Sequence, residues 1–148
     1  MSPIVPNSRS WPTRRKAPEA RAVLAACLLA APLLAVGADY QTPALTAADV
    51  RAREQGPAPA LVVDVRPNAE YKSGHVAGAV NIPYTQIGEH VPELSEAGAV
   101  VLYCTLGHRT KQAEQTLLDH DVANVFHLEG GLMAWRQEGY PIHTGWGP

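Results

Sequence analysis

The chain has 148 residues, of which 46% are hydrophobic and 18% are charged, and this composition predicts one globular domain with a substantial core. Its 12 lysines and arginines are balanced by 14 aspartates and glutamates, which gives a net charge of −2. Proteins that bind nucleic acids carry an excess of basic side chains to neutralise phosphates. The absence of such an excess leads us to expect no nucleic-acid partner.

The first segment of the chain has the features of an export signal. Basic side chains at positions 14–16 and 21 precede an almost wholly apolar run over residues 22–38, which ends in Val36, Gly37 and Ala38. This order predicts a secretory signal peptide over residues 1–38, cleaved near Ala38, and an exported, periplasmic protein without a permanent membrane anchor. The run is about 17 residues long, at the short end of what spans a bilayer. An uncleaved N-terminal membrane anchor is therefore the alternative.

Strand-like and helix-like patterns alternate after this segment. Short runs rich in β-branched residues, typical of buried strands, lie at 60–65, 99–104 and 122–128. Helices are predicted over 46–54, 68–72, 109–120 and 132–137. The alternation predicts an α/β fold with a mainly parallel central sheet flanked by helices. We assign residues 39–43 to a short linker, 44–142 to this single domain and 143–148 to a C-terminal tail.

Cleavage of the signal would remove Cys27 and leave Cys104 as the only cysteine. A lone cysteine cannot form a disulfide within its own chain, so it is a buried apolar residue, an intermolecular partner or a reactive thiol. It cannot build a structural zinc site either, and the six histidines show no paired ligand spacing. We expect no metal and no other cofactor.

The stretch "VLYCTLGHRT", residues 101–110, places Cys104 at the end of a predicted strand, just before a helix that begins near Arg109. Ligands of parallel sheets bind at the carboxyl ends of strands, where helix N-termini converge. Amides at a helix N-terminus and an adjacent arginine both favour a thiolate over a thiol. Gly107 allows positive φ, which a loop needs to turn its amides around one sulfur atom. The pattern therefore predicts a reactive thiol.

Three stretches in order, "LVVDVRPNAEYKSGHVAGAVNIPY", "VLYCTLGHRT" and "VFHLEGGLMAWRQEGYPI", resemble the successive motifs of a single-domain rhodanese, a sulfurtransferase. The resemblance covers about residues 44–142. It implies that Cys104 is the catalytic nucleophile, which carries sulfane sulfur as a persulfide from a donor such as thiosulfate to an acceptor such as cyanide or a thiol. It also implies that the substrate-binding loop consists of Thr105, Leu106, Gly107, His108 and Arg109.

The same resemblance assigns structural roles to residues outside the loop. Asp64 and Arg66 match an Asp-x-Arg motif, and we expect Arg66 to form an ion pair with Glu70. His75 matches a histidine that holds the following loop. The closing motif contributes two glycines that let the backbone turn and a tryptophan that packs on the sheet: Gly130, Gly131 and Trp135.

Loop length separates the two chemistries associated with this family. Four residues lie between Cys104 and Arg109, and this short form resembles sulfurtransferases, whereas related phosphatases and arsenate reductases have one residue more. The common bacterial loop has Arg-Ser where this chain has Thr105 and Leu106. The lost cation favours a less polar donor than thiosulfate. Expected partners are a small sulfur donor, an acceptor and, as one alternative, a thiol protein for which the domain is a non-catalytic persulfide carrier. Arsenate reductase or phosphatase activity is the other alternative.

Overall fold

The computed structural model of the protein describes residues 40–146, so the predicted signal peptide lies outside the described residues. The strands within this range are β1 (Ala44–Leu45), β2 (Leu61–Asp64), β3 (His75–Val76), β4 (Val80–Asn81), β5 (Val100–Tyr103), β6 (Val125–Leu128) and β7 (Ile142–His143). The helices are α1 (Ala47–Glu54), α2 (Asn68–Ser73), α3 (Val91–Glu96), α4 (His108–Asp119) and α5 (Gly131–Gln137), with a 3₁₀ turn at Ile87–His90.

The central sheet has the strand order β1-β6-β5-β2-β4, and each neighbouring pair in it is parallel. Strands β3 and β7 form a separate antiparallel pair. Parallel neighbours need crossover connections, which the intervening helices supply. The predicted α/β class with a mainly parallel sheet is confirmed.

The core lies on both faces of this sheet. Successive residues of a strand point to opposite faces, so Val63 and Leu102 pack towards α3 and α4, while Val62 and Val101 pack in the cluster that contains Trp135 of α5. All five side chains are at most 4% exposed. Burying each such side chain contributes about 1.5–3 kcal/mol, which is why these strands read as continuous apolar runs.

Capping and turn geometry set the element boundaries. Thr46 caps α1: its side chain accepts a hydrogen bond from the Asp49 amide, and the Asp49 carboxylate accepts one from the Thr46 amide. Strand β6 begins at Val125, three residues later than predicted, because Val122 still donates its amide to the Leu117 carbonyl at the end of α4. None of the helices over residues 40–146 combines the length and hydropathy needed to cross a bilayer.

Segments at both ends of the described range pack against the domain. Tyr40, in the segment assigned to a linker, stacks on the ring of His127 with centroids 3.7 Å apart. Trp146, in the segment assigned to a tail, lies 4.4 Å from Lys72 Nζ in a cation–π contact. The Gly145 amide donates to the Lys72 carbonyl at 2.9 Å. The packed structure therefore extends beyond residues 44–142 at each end.

Candidate active site

Cys104 follows β5 directly, at the carboxyl edge of the central sheet and next to the ends of β2 and β6. Its side chain is buried, with the residue only 3% exposed, and it is a free cysteine. The next residues turn the chain into α4, which begins at His108, one residue earlier than predicted. The sheet edge and the first turn of α4 thus enclose one sulfur atom.

Gly107 shapes the loop around that sulfur. Its φ of 110° lies in the left-handed region, and its amide donates a hydrogen bond to Cys104 Sγ at 2.9 Å. A Cβ at this position would lie 1.7 Å from the Tyr40 hydroxyl oxygen. Both the backbone conformation and the available space therefore require glycine.

The loop holds the Cys104 thiol towards its ionised form. Burial by itself raises the pKa of this thiol. The Thr110 side chain and the amides of Thr110, Gly107 and Arg109 together more than offset that effect, so the pKa is lowered from its ordinary value of 9.0. Three of these groups are backbone amides at or just before the start of α4. Such amides carry partial positive charge, which favours the thiolate without a separate cation.

The hydroxyl of Thr110 is a polar group just beyond the predicted substrate-binding loop, which ends at Arg109. It is buried, and no hydrogen bond of normal geometry to a described residue satisfies its oxygen. It nevertheless lies close enough to Cys104 to lower the pKa of the thiol. A buried hydroxyl without a partner is costly, so this position beside the thiol is of functional interest.

The last helix clamps the other side of the loop. The Leu132 amide donates to the Cys104 carbonyl at 2.9 Å, and the Met133 amide donates to the Thr105 carbonyl at 3.4 Å. Gly131 makes this approach possible, because a Cβ there would lie 2.5 Å from the Cys104 carbonyl oxygen. The closing glycine motif thus contacts the cysteine loop itself, in addition to turning the chain.

Two ion pairs are arranged differently from the expectation. Arg66 pairs with Asp64, with Nη2 and Oδ2 2.6 Å apart, and both side chains are at most 5% exposed. Glu70 instead reaches across to the loop, where its Oε1 and Oε2 lie 2.8 Å and 3.0 Å from Arg109 Nη1. The predicted Arg66–Glu70 pair is therefore wrong, and Glu70 belongs to the rim of the site.

The remaining residues of the motif lie in the scaffold. His75 is fully buried, stacks on Tyr71 with ring centroids 3.7 Å apart, and contacts the Tyr71 carbonyl through Nδ1 at 2.9 Å. Trp135 is fully buried on the sheet and donates Nε1–H to the Pro141 carbonyl at 3.0 Å. Gly130, with φ of 66°, caps α5. None of these contacts involves Cys104.

The segment before β1 brings a further group to the loop. Tyr40 places its hydroxyl against Gly107, and its ring stacks on His127 and lies 5.0 Å, measured at its centroid, from the Lys111 ammonium. Burial, followed by the charges of Cys104 and Glu114, raises the pKa of the Tyr40 phenol, which keeps it a neutral donor. Sequence patterns offered no signal for this contact.

A buried polar cluster anchors that segment. The Thr42 hydroxyl bonds to the Glu114 carboxylate and lies 3.1 Å from His127 Nδ1, and His127 Nδ1 lies 3.1 Å from Glu114 Oε1. All three residues are at most 7% exposed. Burying such groups is favourable only when they are hydrogen-bonded to one another, so the cluster fixes Thr42 and, two residues before it, Tyr40. Over residues 40–146 no three His, Cys, Asp or Glu side chains converge as a metal site would require.

Comparison with known proteins agrees with this geometry. The Rhodanese-like domain family model matches residues 46–138. A sulfurtransferase of Allochromatium vinosum is 35% identical over 82 residues, which cover 55% of this chain and 77% of that protein. A rhodanese-related protein from Thermoplasma volcanium has a TM-score of 0.61 at 28% identity, over 70% of this chain and 99% of that chain.

A thiosulfate sulfurtransferase from Pseudomonas aeruginosa has a TM-score of 0.65 at 28% identity, over 72% of this chain and 21% of that chain. The chain spans 45% of the length of each of the first two curated relatives it matches. The family model covers more than half of the chain and includes the whole cysteine loop. The chain therefore belongs to the rhodanese-like domain family.

Proposed function

We propose that the protein is a sulfurtransferase in which Cys104 carries sulfane sulfur as a persulfide. The observation that carries the proposal is the position of Cys104 Sγ: it is buried at the end of β5, accepts the Gly107 amide at 2.9 Å and has a lowered pKa. The likeness to proteins named sulfurtransferases in Allochromatium vinosum and Pseudomonas aeruginosa supports the same reaction class.

The reaction proceeds by two displacements at sulfur. The Cys104 thiolate attacks the outer sulfur of thiosulfate, the S–S bond breaks, and sulfite leaves with its electron pair. The product is Cys104–S–S⁻, whose charge rests on the loop amides that held the thiolate. Cyanide or a thiolate then attacks the outer sulfur and leaves as thiocyanate or a persulfide, which regenerates the Cys104 thiolate. The mechanism invokes no general base, because the loop lowers the pKa of the Cys104 thiol and so favours the thiolate.

Intact-mass measurement tests the proposal. The purified protein is treated with thiosulfate or, in parallel, with a persulfide donor, and then with cyanide. The expected result is a gain of one sulfur atom that cyanide removes as thiocyanate, and the gain should be absent from Cys104→Ser. No gain from either donor, with the thiol shown to be free, refutes the proposal. Hydrolysis of a chromogenic phosphate ester that depends on Cys104 would instead favour the phosphatase alternative.

A second candidate function is that of a persulfide carrier for a thiol protein. Two exposed apolar side chains on or beside the cysteine loop favour it: Leu106 is 76% exposed, and Met133, whose amide bonds to Thr105, is 41% exposed. Such groups suit contact with a protein surface. Persulfide formation followed by transfer to a protein thiol, without transfer to cyanide or small thiols, would identify a carrier.

We also propose export to the periplasm, which rests on the basic start and apolar run of residues 1–38. Cell fractionation followed by N-terminal sequencing tests it. A periplasmic protein that begins near Asp39 supports cleavage. An intact N-terminus in the membrane fraction supports the anchor, and an intact N-terminus in the cytoplasm refutes export.

A further inference from the structure

The rim of the cysteine loop contains a salt bridge that the sulfur chemistry does not require. Glu70 projects from α2, and both of its carboxylate oxygens lie within 3.0 Å of Nη1 of Arg109 in the first turn of α4. The side chains are 35% exposed for Arg109 and 37% for Glu70. The pair therefore lies at the solvent boundary, where an incoming donor meets it.

The backbone of Arg109 faces the sulfur, whereas its side chain faces Glu70. Its amide is one of the groups that lower the pKa of the Cys104 thiol, while its guanidinium is paired with Glu70. A guanidinium that already shares its charge with a carboxylate has less attraction for a second anion. The nearest full positive charge at the end of the loop is thus neutralised.

Two other cations near the loop have contacts of their own. Thr105 and Leu106 are uncharged. The Lys111 ammonium lies over the Tyr40 ring, and the Arg66 guanidinium is buried against Asp64. A dianion that approaches Cys104 along this rim therefore meets a neutral ion pair with a partly exposed carboxylate.

We infer that Glu70 is a specificity-determining residue: it disfavours doubly charged sulfur donors such as thiosulfate and selects donors with one negative charge and an apolar substituent. The exposed Leu106 side chain, at the tip of the same loop, provides an apolar contact for that substituent. This inference rests on the proposed sulfurtransferase function. It concerns which donor delivers sulfur and leaves the identity of the nucleophile unchanged.

Organic thiosulfonates supply the matched probe, because they carry the same sulfane sulfur with one charge fewer. The Cys104 thiolate attacks the outer sulfur of R–SO₂–S⁻, the S–S bond breaks, and the sulfinate R–SO₂⁻ leaves with the electron pair. The product is the same Cys104–S–S⁻ that thiosulfate gives. Thiosulfate, methanethiosulfonate and benzenethiosulfonate therefore separate the effects of charge and of the apolar group.

The test is kcat/KM for these three donors, with cyanide as acceptor, in the wild type, Glu70→Gln, Glu70→Asp and Glu89→Gln. Glu89 is an exposed carboxylate on the 3₁₀ turn, so its variant controls for the loss of one negative charge. We expect the wild type to have a higher kcat/KM for benzenethiosulfonate than for thiosulfate. Glu70→Gln should raise kcat/KM for thiosulfate about fivefold to tenfold, mainly through KM, because a charge contact at a partly exposed site contributes on this scale.

Charge scaling distinguishes this role from a structural one. Coulomb energy is proportional to donor charge, so the gain with methanethiosulfonate should be about the square root of the gain with thiosulfate, roughly twofold to threefold. The gain should shrink as salt is added. Glu70→Asp and Glu89→Gln should keep the wild-type preference.

Equal changes for all donors in Glu70→Gln, or a lower kcat/KM for thiosulfate, would overturn the inference and leave Glu70 a structural residue. Wild-type preference for thiosulfate over benzenethiosulfonate would overturn it as well. Failure of the proposed function is a distinct result: the wild type then gains no sulfur mass from any of the donors.

Discussion

The fit between Gly107 and Tyr40 leads to a prediction about stability. In Gly107→Ala, the new Cβ would lie 1.7 Å from the Tyr40 hydroxyl oxygen, and alanine would have to adopt a φ of 110°. The positive φ alone costs about 1–2 kcal/mol. Displacing Tyr40 from its stack on His127 adds about 1–2 kcal/mol, as overpacking does in a dense site. We expect a total loss of about 2–4 kcal/mol in the free energy of unfolding, measured by urea denaturation.

Two comparisons separate these contributions. Gly78 has a φ of 80°, and nothing lies within 4 Å of a Cβ built there, so Gly78→Ala should cost only the backbone strain. In a Tyr40→Ala background, Gly107→Ala should cost about as much as Gly78→Ala, because the overlap is gone. Equal costs of Gly107→Ala in both backgrounds would refute the reasoning, since Tyr40 would then not lie over Gly107.

Three further predictions follow from the buried charges and the thiol. Arg66→Ala should lower the free energy of unfolding by about 3–5 kcal/mol, because Asp64 would remain buried without its partner; a loss below about 1 kcal/mol in denaturant unfolding would contradict this. Thr110→Val should raise the pKa of the Cys104 thiol and slow its alkylation by iodoacetamide at pH 7 roughly threefold to tenfold, whereas an unchanged rate would exclude the hydroxyl from the site. Because folding lowers the pKa of Cys104, the thiolate contributes stability that is fully present above the unfolded value of 9.0 and lost as pH falls through the folded pKa. The stability of the wild type relative to Cys104→Ser, measured in reductant, should therefore rise with pH up to that value; a flat or falling difference would show that the thiolate is not stabilised.

The parts of the fold that were predictable are those with long, regular patterns. The β-branched runs that became β2 and β5 are buried on both faces, and Thr46 completes a capping box with Asp49. These patterns placed Cys104 at a strand end before a helix. By contrast, β1, β3, β4 and β7 have two residues each, too few to show a period of two.

The errors at the site have a common physical cause, which is distance along the chain. The Arg66–Glu70 expectation used helical spacing, but Arg66 precedes Pro67 and lies outside α2, so the two side chains do not share a helix face. Glu70 finds Arg109, 39 positions away, because the sheet brings β2 beside β5 and thus α2 near the start of α4. Only the strand order, which local patterns do not specify, creates that contact.

The position of Tyr40 could not be predicted from local sequence patterns either. Its position over Gly107 depends on Thr42, Glu114 and His127, which come from the segment before β1, from α4 and from β6. Each of these residues alone looks like an ordinary surface polar group. These residues come together only when β1 pairs with β6 and α4 packs beside that pair.

The hydrogen bonds between the cysteine loop and α5 can form only after α5 has been synthesised. The Cys104 and Thr105 carbonyls are held by the amides of Leu132 and Met133, which leave the ribosome later. While the chain is being made, the cysteine loop therefore lacks these two hydrogen bonds. Docking of the last helix therefore completes the hydrogen bonding of a loop whose own Gly107, Arg109 and Thr110 amides lower the pKa of the Cys104 thiol.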